Sequence, residues 1–442
     1  MMWRKKWWLF IVTCMCIVAM INTNTVLAQQ KVVKVLYGGA ALETMQIMEM
    51  AVNLWNETQA KSTGIKVELQ MVAGEGFWDK FKVMMATKQL PDILRADDDW
   101  VGEYFVRGQF MDLTDLVKRD IDVKKFWPDG WKPFMYDGKI YALPFKGDTV
   151  ALYYNKKLFR EAGILEPKGT NFTWDRFLEA CKKLTKEKDG RPDTFGFGIR
   201  SQWLYPQTWI WRWGGSIFNR EKTESTITSK EAIEALQFYT DLRHKYKVAP
   251  SASLEQEEGS ETLFRAGRVA MWEAGNWAIL EYRRIRSAGG LDFGIALPVR
   301  GPKNNLTRST WEGWSIPYYS QNKEEAWKVI KWLSTDPKPQ RLLASVGAIP
   351  IIRTFAYSEL INPKTPEDES IFLRIIEKYS RISEFLLQGA EFDRIWNKNV
   401  EGLFIGTKTA KQAAEDFKKE IDELIKREIQ FRPYADPDTP TP

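Results

Sequence analysis

The fold is decided by the stretch KVVKVLYGGAALETMQIMEMAVNLWNETQAKSTGIKVELQMV at residues 31–72. Two short runs with strand-like composition, at residues 31–37 and 65–72, flank a segment whose apolar side chains recur at helical spacing. A strand–helix–strand order favours a mixed or parallel sheet with helices on its faces. The chain is therefore predicted to be an α/β protein, with a third short strand at residues 91–94.

The composition limits the function before any motif is considered. The 442 residues suffice for two domains at ~100–200 residues each. Lys and Arg number 64 against 58 Asp and Glu, which gives no sign of nucleic-acid binding. The chain contains one histidine, His244, and this excludes a two-histidine zinc site. Its 20 tryptophans exceed what a core of this size needs, and aromatic faces suit flat apolar ligand surfaces.

The N-terminus has the parts of a secretory signal peptide. Basic residues precede an uncharged apolar run at 7–21, and a cleavage site follows at Ala28. The run is shorter than the ~20 residues that a membrane-spanning helix needs. We therefore predict a signal peptide at residues 1–28 and a periplasmic protein. A lipoprotein signal at Cys14 or Cys16 is an alternative that fits less well, because the residue before Cys14 is not small.

Three helices are predicted from the residues that would cap their N-termini. Thr173 precedes an apolar stripe with helical spacing. Asn322 is followed three residues later by Glu325, and Thr409 in the same way by Gln412. In such a capping box the cap side chain and the third residue satisfy each other's backbone donors. Helices are therefore expected directly after Thr173, Asn322 and Thr409.

Motifs for catalysis and cofactor binding give a negative result. There is no GxGxxG, GxxxxGK[ST], GxSxG or CxxC motif, so no cofactor is predicted. Cys181, the sole cysteine after residue 28, falls on the stripe behind Thr173 and is predicted to be a core thiol. The run 97–99 is acidic, but no EF-hand loop surrounds it; a solvated or ligand-facing turn is favoured over a calcium site, and no metal is predicted. The Pro- and Asp-rich tail at 433–442 is predicted to be disordered.

Several segments resemble a known protein family. They are DGKIYALP (137–144), LYYNKKLFREAG (152–163), TWDRF (173–177), LFRAGRVAMWEAGNWAI (263–279) and VGAIPIIR (346–353). In this order, and behind a signal peptide, they resemble the extracellular solute-binding proteins of sugar ABC transporters, the maltose-binding-protein-like type. The resemblance covers nearly all of the chain after the predicted signal peptide.

This resemblance implies an α/β, two-lobed periplasmic-binding-protein-like fold, in which each lobe is a mixed β-sheet flanked by helices and a hinge joins the lobes. Residues 29–148 and 298–345 would form lobe 1, and residues 149–297 and 350–442 would form lobe 2. It also implies a monomeric substrate-binding protein of an ABC importer, which captures an oligosaccharide in the interlobe cleft and delivers it to the permease subunits in the membrane. A receptor for a non-sugar solute and a secreted glycoside-active enzyme are the alternatives.

A sugar needs aromatic planes against its C–H face and carboxylates or amides around its hydroxyl rim. Asp98, Asp99 and Trp100 follow the third predicted strand, where doubly wound sheets place their ligands. The resemblance places Asp148 at a cleft carboxylate of the family, and Glu312 stands between two tryptophans. These five residues are predicted ligand contacts.

Tryptophan supplies most of the other predicted contacts. The predicted aromatic contacts are Trp78, Trp209, Trp211, Trp213, Trp272, Trp277, Trp311 and Trp314. Trp209, Trp211 and Trp213 occupy alternate positions, so on a strand they would share one face. Four further tryptophans fall in helical patterns and are predicted core residues: Trp55, Trp174, Trp327 and Trp332.

The residues after the first strand depart from the maltose-type members. Those members carry polar side chains there, whereas this chain has Gly38 at the start of a run of small residues. Small residues leave backbone amides and free volume, which suits a longer or differently linked oligosaccharide than maltose, so Gly38 is a predicted contact. Arg353 is also a predicted contact, and together with Lys146 and Arg212 it leaves an anionic ligand open.

Overall fold

The computed structural model describes residues 30–428, with gaps at 41, 75, 100, 170, 189–190, 361–368 and 385. The predicted signal peptide, the predicted contact Trp100 and the predicted disordered tail lie outside the described residues. Within the described part of the chain, no helix combines the length and the apolar character needed to cross a membrane.

Strands and helices alternate along most of the chain. The strands are β1 (Lys31–Gly38), β2 (Ile65–Val72), β3 (Ile93–Asp97), β4 (Met135–Tyr136), β5 (Lys139–Ile140), β6 (Leu143–Asn155), β7 (Lys186–Lys188), β8 (Arg191–Phe197), β9 (Val269–Gly275), β10 (Phe293–Ala296), β11 (Thr307–Ser315), β12 (Ile349–Pro350) and β13 (Ser380–Ile382). The helices are α1 (Leu42–Thr58), α2 (Ala60–Thr63), α3 (Gly76–Ala86), α4 (Gly102–Val106), α5 (Thr114–Asp120), α6 (Lys156–Glu161), α7 (Trp174–Leu184), α8 (Pro206–Trp213), α9 (Lys230–His244), α10 (Ala252–Glu257), α11 (Ser260–Arg265), α12 (Ile279–Ser287), α13 (Lys323–Thr335), α14 (Pro337–Ser345), α15 (Arg353–Leu360), α16 (Ser370–Lys378), α17 (Gly389–Ile405) and α18 (Ala410–Glu428). Short 3-10 turns occupy Val123–Lys125, Pro128–Gly130, Lys132–Phe134 and Asn276–Ala278.

The strand–helix–strand start is confirmed. β1 runs parallel to β2, with Lys31 opposite Ile65, and α1 lies between them in the chain. β3, the third predicted strand, is parallel to β1 on its other side. The apolar side chains that give α1 its helical spacing, among them Met48 and Trp55, are buried in the core beside these strands.

One continuous sheet runs through the described residues in the order β2-β1-β3-β11-β6-β9-β8-β7, with β10 and β12 paired to β6 and β13 to β11. The pairs of β1 with β2 and β3 and the pair of β8 with β9 are parallel. β11 is antiparallel to β3 and β6, and β6 is antiparallel to β9. The sheet is therefore mixed, as the sequence predicts.

β6 is the strand that both halves of this sheet share. Its residues 143–149 pair with β11, and its residues 150–155 pair with β9 and β10. All of its 13 residues are buried. The Trp311 indole covers Gly147 so closely that a Cβ at Gly147 would lie 2.5 Å from the ring. Glycine is therefore the residue that lets β11 pack against β6 at this point.

Apolar side chains form two large hydrophobic clusters in the described part of the chain. The first surrounds β1, β3 and β11 and contains Trp55, Trp327 and Trp332. The second lies among α7, α8, α9, α17 and α18 and contains Cys181. The core predictions for Trp55, Trp327, Trp332 and Cys181 are confirmed. The core prediction for Trp174 is wrong, because this first residue of α7 lies ahead of the turn that faces the core and is 36% exposed.

All three helices predicted from capping residues begin where expected. The Thr409 box is formed, because its backbone N–H donates to Gln412 Oε1 at 3.0 Å and the Gln412 N–H donates to Thr409 Oγ1 at 3.2 Å. The predicted box at Asn322 is wrong. The Asn322 amide donates to the Val32 carbonyl at 3.3 Å, and Glu325 pairs with the first lysine of β1. Contacts with β1 outweigh the local cap.

Residues 209–213 do not form the strand on which the three tryptophans would share one face, because this segment is part of the helix α8. Pro206 occupies its first turn, where the missing N–H of proline is tolerated. Gly214 ends the helix in the left-handed region, with a φ of 91°. An alternation over five residues is too short to separate a strand from a wholly buried helix.

Candidate functional site

Five charged side chains form a buried ion network where β3, β11 and β6 lie side by side. Glu312 on β11 is opposite Asp97 on β3 and Lys146 on β6. Its Oε1 lies 2.7 Å from Lys146 Nζ, and its Oε2 lies 2.7 Å from Arg95 Nε. Lys146 also pairs with Asp148 at 2.5 Å, and Arg95 pairs with Asp97. The charges therefore alternate from Asp148 through Lys146, Glu312 and Arg95 to Asp97.

This alternation keeps Glu312 charged in spite of its burial. An isolated buried charge is strongly destabilising, but a well-paired one offsets much of its desolvation cost. Burial disfavours the charged form of Glu312, yet Arg95 and Lys146 outweigh burial and lower the pKa of the carboxyl to about 2. Glu312 is therefore ionised at neutral pH and balances both cations.

Three carboxylates meet in the turn at the end of β3. Oxygen atoms of Asp97, Asp98 and Asp99 lie within 4.8 Å of one another. Asp98 is completely buried, and its Oδ2 accepts a 2.9 Å hydrogen bond from the Trp311 backbone N–H. Its Oδ1 has no hydrogen-bond partner among the described residues. We call these three residues the carboxylate turn.

Burial disfavours the charged forms of the carboxylate turn. Burial, opposed by Arg95, raises the pKa of Asp97 to about 7. Burial and the neighbouring carboxylates also raise the pKa of Asp98. The turn therefore offers both hydrogen-bond donors and acceptors. Its spacing would also suit a metal ion, which the sequence pattern does not favour.

A further acidic group approaches this turn from the second hydrophobic cluster. Asp393 lies on α17, and its Oδ1 accepts a 2.6 Å hydrogen bond from the indole N–H of Trp203. Burial raises the pKa of Asp99, Arg308 lowers it and Asp393 raises it, so both charges lie within electrostatic range of the turn. Neither Trp203 nor Asp393 is predicted from the sequence. Trp203 stands just before the tryptophan-rich run that begins at Trp209, but nothing in the sequence singles out Asp393.

Asn276 joins three segments of the chain at one end of the ion network. Its Nδ2 donates to Asp148 Oδ1 and to the Gly347 carbonyl, each at 2.7 Å. Its Oδ1 accepts a hydrogen bond from the Thr149 backbone N–H, also at 2.7 Å. The side chain is completely buried. The sequence pattern predicts the neighbouring Trp277 and misses this amide.

The three predicted tryptophans of α8 are buried in the second half of the molecule. Trp209 and Trp213 belong to the second hydrophobic cluster. Trp209 donates to Glu273 at 3.2 Å, and Trp211 donates to Glu384 at 2.6 Å. Trp213, the most accessible of the three, is 7% exposed. Protein atoms cover all three rings, and their stacking on a ligand stays a prediction.

Trp272 and Trp277 lie before and after Gly275. Trp272 is buried, and the Arg200 guanidinium lies 4.2 Å from its ring centroid and 4.5 Å from that of Tyr205. Trp277 is half-buried, and its ring lies over Gly275, where a Cβ would come within 1.9 Å of it. Of these two predicted contacts, Trp277 is the one with a substantially accessible ring.

Trp311 and Trp314 belong to the first hydrophobic cluster. Trp311 lies on the opposite face of β11 from Glu312, because successive strand residues alternate, and packs on Gly147. Trp314 stacks on Phe145, with ring centroids 4.5 Å apart. Both are almost fully buried. Their role towards a ligand also stays a prediction.

Gly38 and Trp78 border the ion network. The Gly38 carbonyl accepts a 2.6 Å hydrogen bond from Arg95 Nη1, and the Arg95 guanidinium lies 6.0 Å from the Trp78 ring centroid. Arg353 lies on α15, where it pairs with Glu377 at 3.2 Å.

We call the ion network and the carboxylate turn together the polar centre. The predicted contacts that belong to it or border it are Gly38, Trp78, Asp98, Asp99, Asp148 and Glu312.

The architecture identifies the class of protein. The structure superposes on an ABC substrate-binding protein from Listeria monocytogenes in complex with cycloalternan, with a TM-score of 0.80. The two are 22% identical, and the match covers 91% of this chain and 100% of the other. The chain therefore has the α/β periplasmic-binding-protein fold.

Its family follows from the sequence match. The profile of the family described as bacterial extracellular solute-binding protein matches residues 43–338, and the chain belongs to this family. The resemblance drawn from the motifs is confirmed, and the chain is a binding protein, not an enzyme.

Two relatives indicate the range of the family. The maltotriose-binding protein of Pyrococcus abyssi is 28% identical over 303 residues, which are 66% of this chain and only 60% of that protein. The galactooligosaccharide-binding protein of Bacillus subtilis is 26% identical over 318 residues, 69% of each chain.

Proposed function

We propose that this chain is the substrate-binding protein of an ABC importer, which captures an oligosaccharide between two lobes and delivers it to the permease subunits in the membrane. The observation that carries this proposal is the carboxylate turn, in which three carboxylates lie together and the buried Asp98 Oδ1 has no hydrogen-bond partner among the described residues, with Asp393 of α17 within electrostatic range. Carboxylates accept hydrogen bonds from sugar hydroxyls, and protonated carboxyls donate to sugar oxygens. The names of the two relatives support a sugar of several units.

We assign residues 29–148 and 298–345 to lobe 1 and residues 149–297 and 350–442 to lobe 2. The change of partners near the middle of β6 supports this division, because residues 143–149 pair with β11 of proposed lobe 1 and residues 150–155 pair with β9 and β10 of proposed lobe 2. Closure would press the carboxylate turn against the acidic group on α17. A ligand favours closure through its greater affinity for the closed state.

We further infer that the chain is exported to the periplasm as a monomer after cleavage of residues 1–28. The description of the family as extracellular supports export. Cleavage after Ala28 would release a soluble receptor, whereas a lipid on Cys14 or Cys16 would anchor it.

A cationic solute such as a polyamine is the second candidate ligand. The carboxylate turn brings three carboxyl groups together, Asp393 lies within electrostatic range of it, and Arg308 is a cation that acts on both Asp98 and Asp99. A protonated amine would favour the ionised forms of these carboxyls and pair with them. An anionic solute is less well supported, because the cations considered for it already pair with carboxylates: Lys146, Arg212 and Arg353.

Calorimetric titration separates these candidates. Maltotriose and a galactooligosaccharide represent the sugars, and spermidine represents the amines. We expect saturable binding of at least one sugar and a higher melting temperature in its presence, because a ligand stabilises the state that binds it. Binding of spermidine without binding of either sugar would favour a cationic solute over an oligosaccharide as the ligand. Binding of neither class would overturn the proposal.

A matched pair of variants locates the site. Asp393→Asn removes the carboxyl group of α17 that acts electrostatically on Asp99. Asp416→Asn removes a carboxylate on the neighbouring helix α18 that is 50% exposed and pairs with Lys408. The first variant is expected to weaken binding and the second to leave it unchanged. Equal affinities would exclude Asp393 from the site.

A further inference from the structure

Three segments of the chain converge on the side chain of Asn276. They are β6 at Thr149, the turn after β9 that contains Asn276 itself, and the loop before β12 at Gly347. Gly347 has a φ of 86°, and a Cβ on it would lie 2.8 Å from the Asn276 carbonyl oxygen. The loop and the turn therefore touch through their backbones, and glycine permits this contact.

We propose that Asn276 is a positioning residue that fixes how these three segments cross and thereby sets the balance between open and closed lobes. The proposal rests on the proposed two-lobed closure. β6 at residues 148–149 and the loop at Gly347 are two of the three places where the chain passes between the proposed lobes, so a rotation of one lobe displaces the partners of Asn276 relative to one another. Hydrogen bonds weaken steeply with distance and misalignment, so three bonds of 2.7 Å resist such a rotation.

The same amide connects this crossing to the polar centre. Asp148 receives one hydrogen bond from Asn276 on Oδ1 and one from Lys146 on Oδ2. Lys146 in turn pairs with Glu312, which pairs with Arg95 beside the carboxylate turn. A ligand that alters the charge of the turn would therefore act on the crossing through a continuous series of buried polar contacts.

Gln207 provides a control for Asn276. It is also a completely buried amide. Its Nε2 donates to the Leu204 carbonyl at 3.4 Å, and its Oε1 accepts from the Glu384 N–H at 3.0 Å. Gln207 and both of its partners belong to proposed lobe 2. Asn276→Ala and Gln207→Ala thus each remove the hydrogen bonds of one buried amide, but only those of Asn276 lie at the crossing.

The test measures the distance between spin labels on the two proposed lobes without any ligand. Lys118→Cys on α5 and Lys183→Cys on α7 place labels at exposed positions, and the buried Cys181 stays unlabelled. In Asn276→Ala, the population ratio of the wild-type distance to longer distances is expected to fall roughly three- to tenfold, while Gln207→Ala keeps the wild-type distribution. Both variants are expected to melt at lower temperature.

The proposal is overturned if Asn276→Ala lowers the melting temperature as Gln207→Ala does but keeps the wild-type distances. Asn276→Ser, which retains one short polar group, replaces the alanine variant if that variant does not fold. Because no ligand is present, failure of the sugar titration would leave this measurement intact. The two proposals can therefore fail separately.

Discussion

The indole N–H of Trp203 donates a 2.6 Å hydrogen bond to Asp393, a carboxylate within electrostatic range of the turn at the end of β3. Burial raises the pKa of Asp393, and this bond opposes the rise. Trp203→Phe keeps an aromatic ring and removes the donor. We expect the affinity for the best sugar, measured by calorimetry, to fall about tenfold, because a hydrogen bond to a charged group contributes ~1.5–3 kcal/mol.

Trp55→Phe is the control for this prediction. Trp55 is also buried and donates to the Ile65 carbonyl at 3.0 Å, but it lies in the first hydrophobic cluster beside β2. The control is expected to lose stability and to keep its affinity for sugar. If both variants bind equally well, the bond between Trp203 and Asp393 does not orient a ligand contact.

Glu312 is expected to be the most sensitive position of the ion network. Glu312→Gln keeps the shape of the side chain but leaves Arg95 and Lys146 without the charge between them. Loss of one partner of a buried pair costs about 3 kcal/mol of unfolding free energy or more, which urea denaturation measures. Glu423→Gln, whose carboxylate is 67% exposed beside Lys426, is expected to cost less than about 0.5 kcal/mol. Similar losses in the two variants would contradict a network sustained by burial.

Asp97 is expected to make stability fall as the pH rises. Its pKa is about 7 in the folded protein and about 3.9 in an unfolded chain. Between these values the folded protein binds more protons than the unfolded chain, so its stability decreases with increasing pH. Asp97→Asn does not titrate at this position, and its unfolding free energy relative to wild type is expected to rise by up to about 2 kcal/mol between about pH 5 and pH 8. Glu312, with its pKa lowered to about 2, contributes stability that is lost only as the pH falls below about 4.5.

Urea unfolding at both pH values measures this effect. The exposed Asp79→Asn on α3 is the control and is expected to show the same pH dependence as wild type. A constant difference between Asp97→Asn and wild type across the range would show that Asp97 does not carry the raised pKa.

Gly147 tests the packing of β11 on β6. A Cβ at Gly147 would overlap the Trp311 ring at 2.5 Å, so Gly147→Ala is expected to destabilise the protein by about 1–3 kcal/mol. Gly76→Ala on α3, where a Cβ meets no atom within 4 Å, is expected to be neutral in the same denaturation experiment. The double variant Gly147→Ala with Trp311→Phe should recover part of the loss. No loss of stability in Gly147→Ala would mean that the Trp311 indole can shift freely.

The N-terminus of the exported protein tests the signal peptide. Mass spectrometry is expected to find a mature chain that begins at Gln29, because cleavage follows Ala28. A diacylglyceryl group on Cys14 or Cys16 would instead establish lipid anchoring. An uncleaved Met1 would contradict both.

The sequence predicts those parts of the fold in which a local signal and the tertiary structure agree. The β1–α1–β2 unit follows from the hydrophobic pattern, which changes from strand spacing to helical spacing and back. The capping box of Thr409 forms as the local sequence predicts. The box of Asn322 does not form, because β1 offers Asn322 and Glu325 stronger partners that are distant in sequence. The composition of the chain and the order of its family-like segments tolerate such local errors, and they sufficed to identify the family.

The polar centre is only partly predictable for a related reason. Asp98, Asp99, Asp148 and Glu312 stand beside strand ends or family-like segments, and such positions can be read from the sequence. Their counter-charge Arg95 lies inside a short strand, and its role exists only because three strands from distant parts of the chain lie side by side. In the helix α8 the conspicuous tryptophans are buried, two of them in the second hydrophobic cluster, and their stacking on a ligand stays a prediction.

The order of strands in the sheet also has a consequence for synthesis. β11 lies between β3 and β6, but it follows β6 late in the chain, since Thr149 pairs with Ser309. At about 5–20 residues per second, the ribosome needs roughly 8–32 s to make the ~160 residues that separate these partners. Until then the strand between β3 and the first half of β6 has not been made, and Arg95 and Lys146 lack the carboxylate of Glu312. The nascent chain can therefore reach an export machinery before the first part of its sheet is able to close.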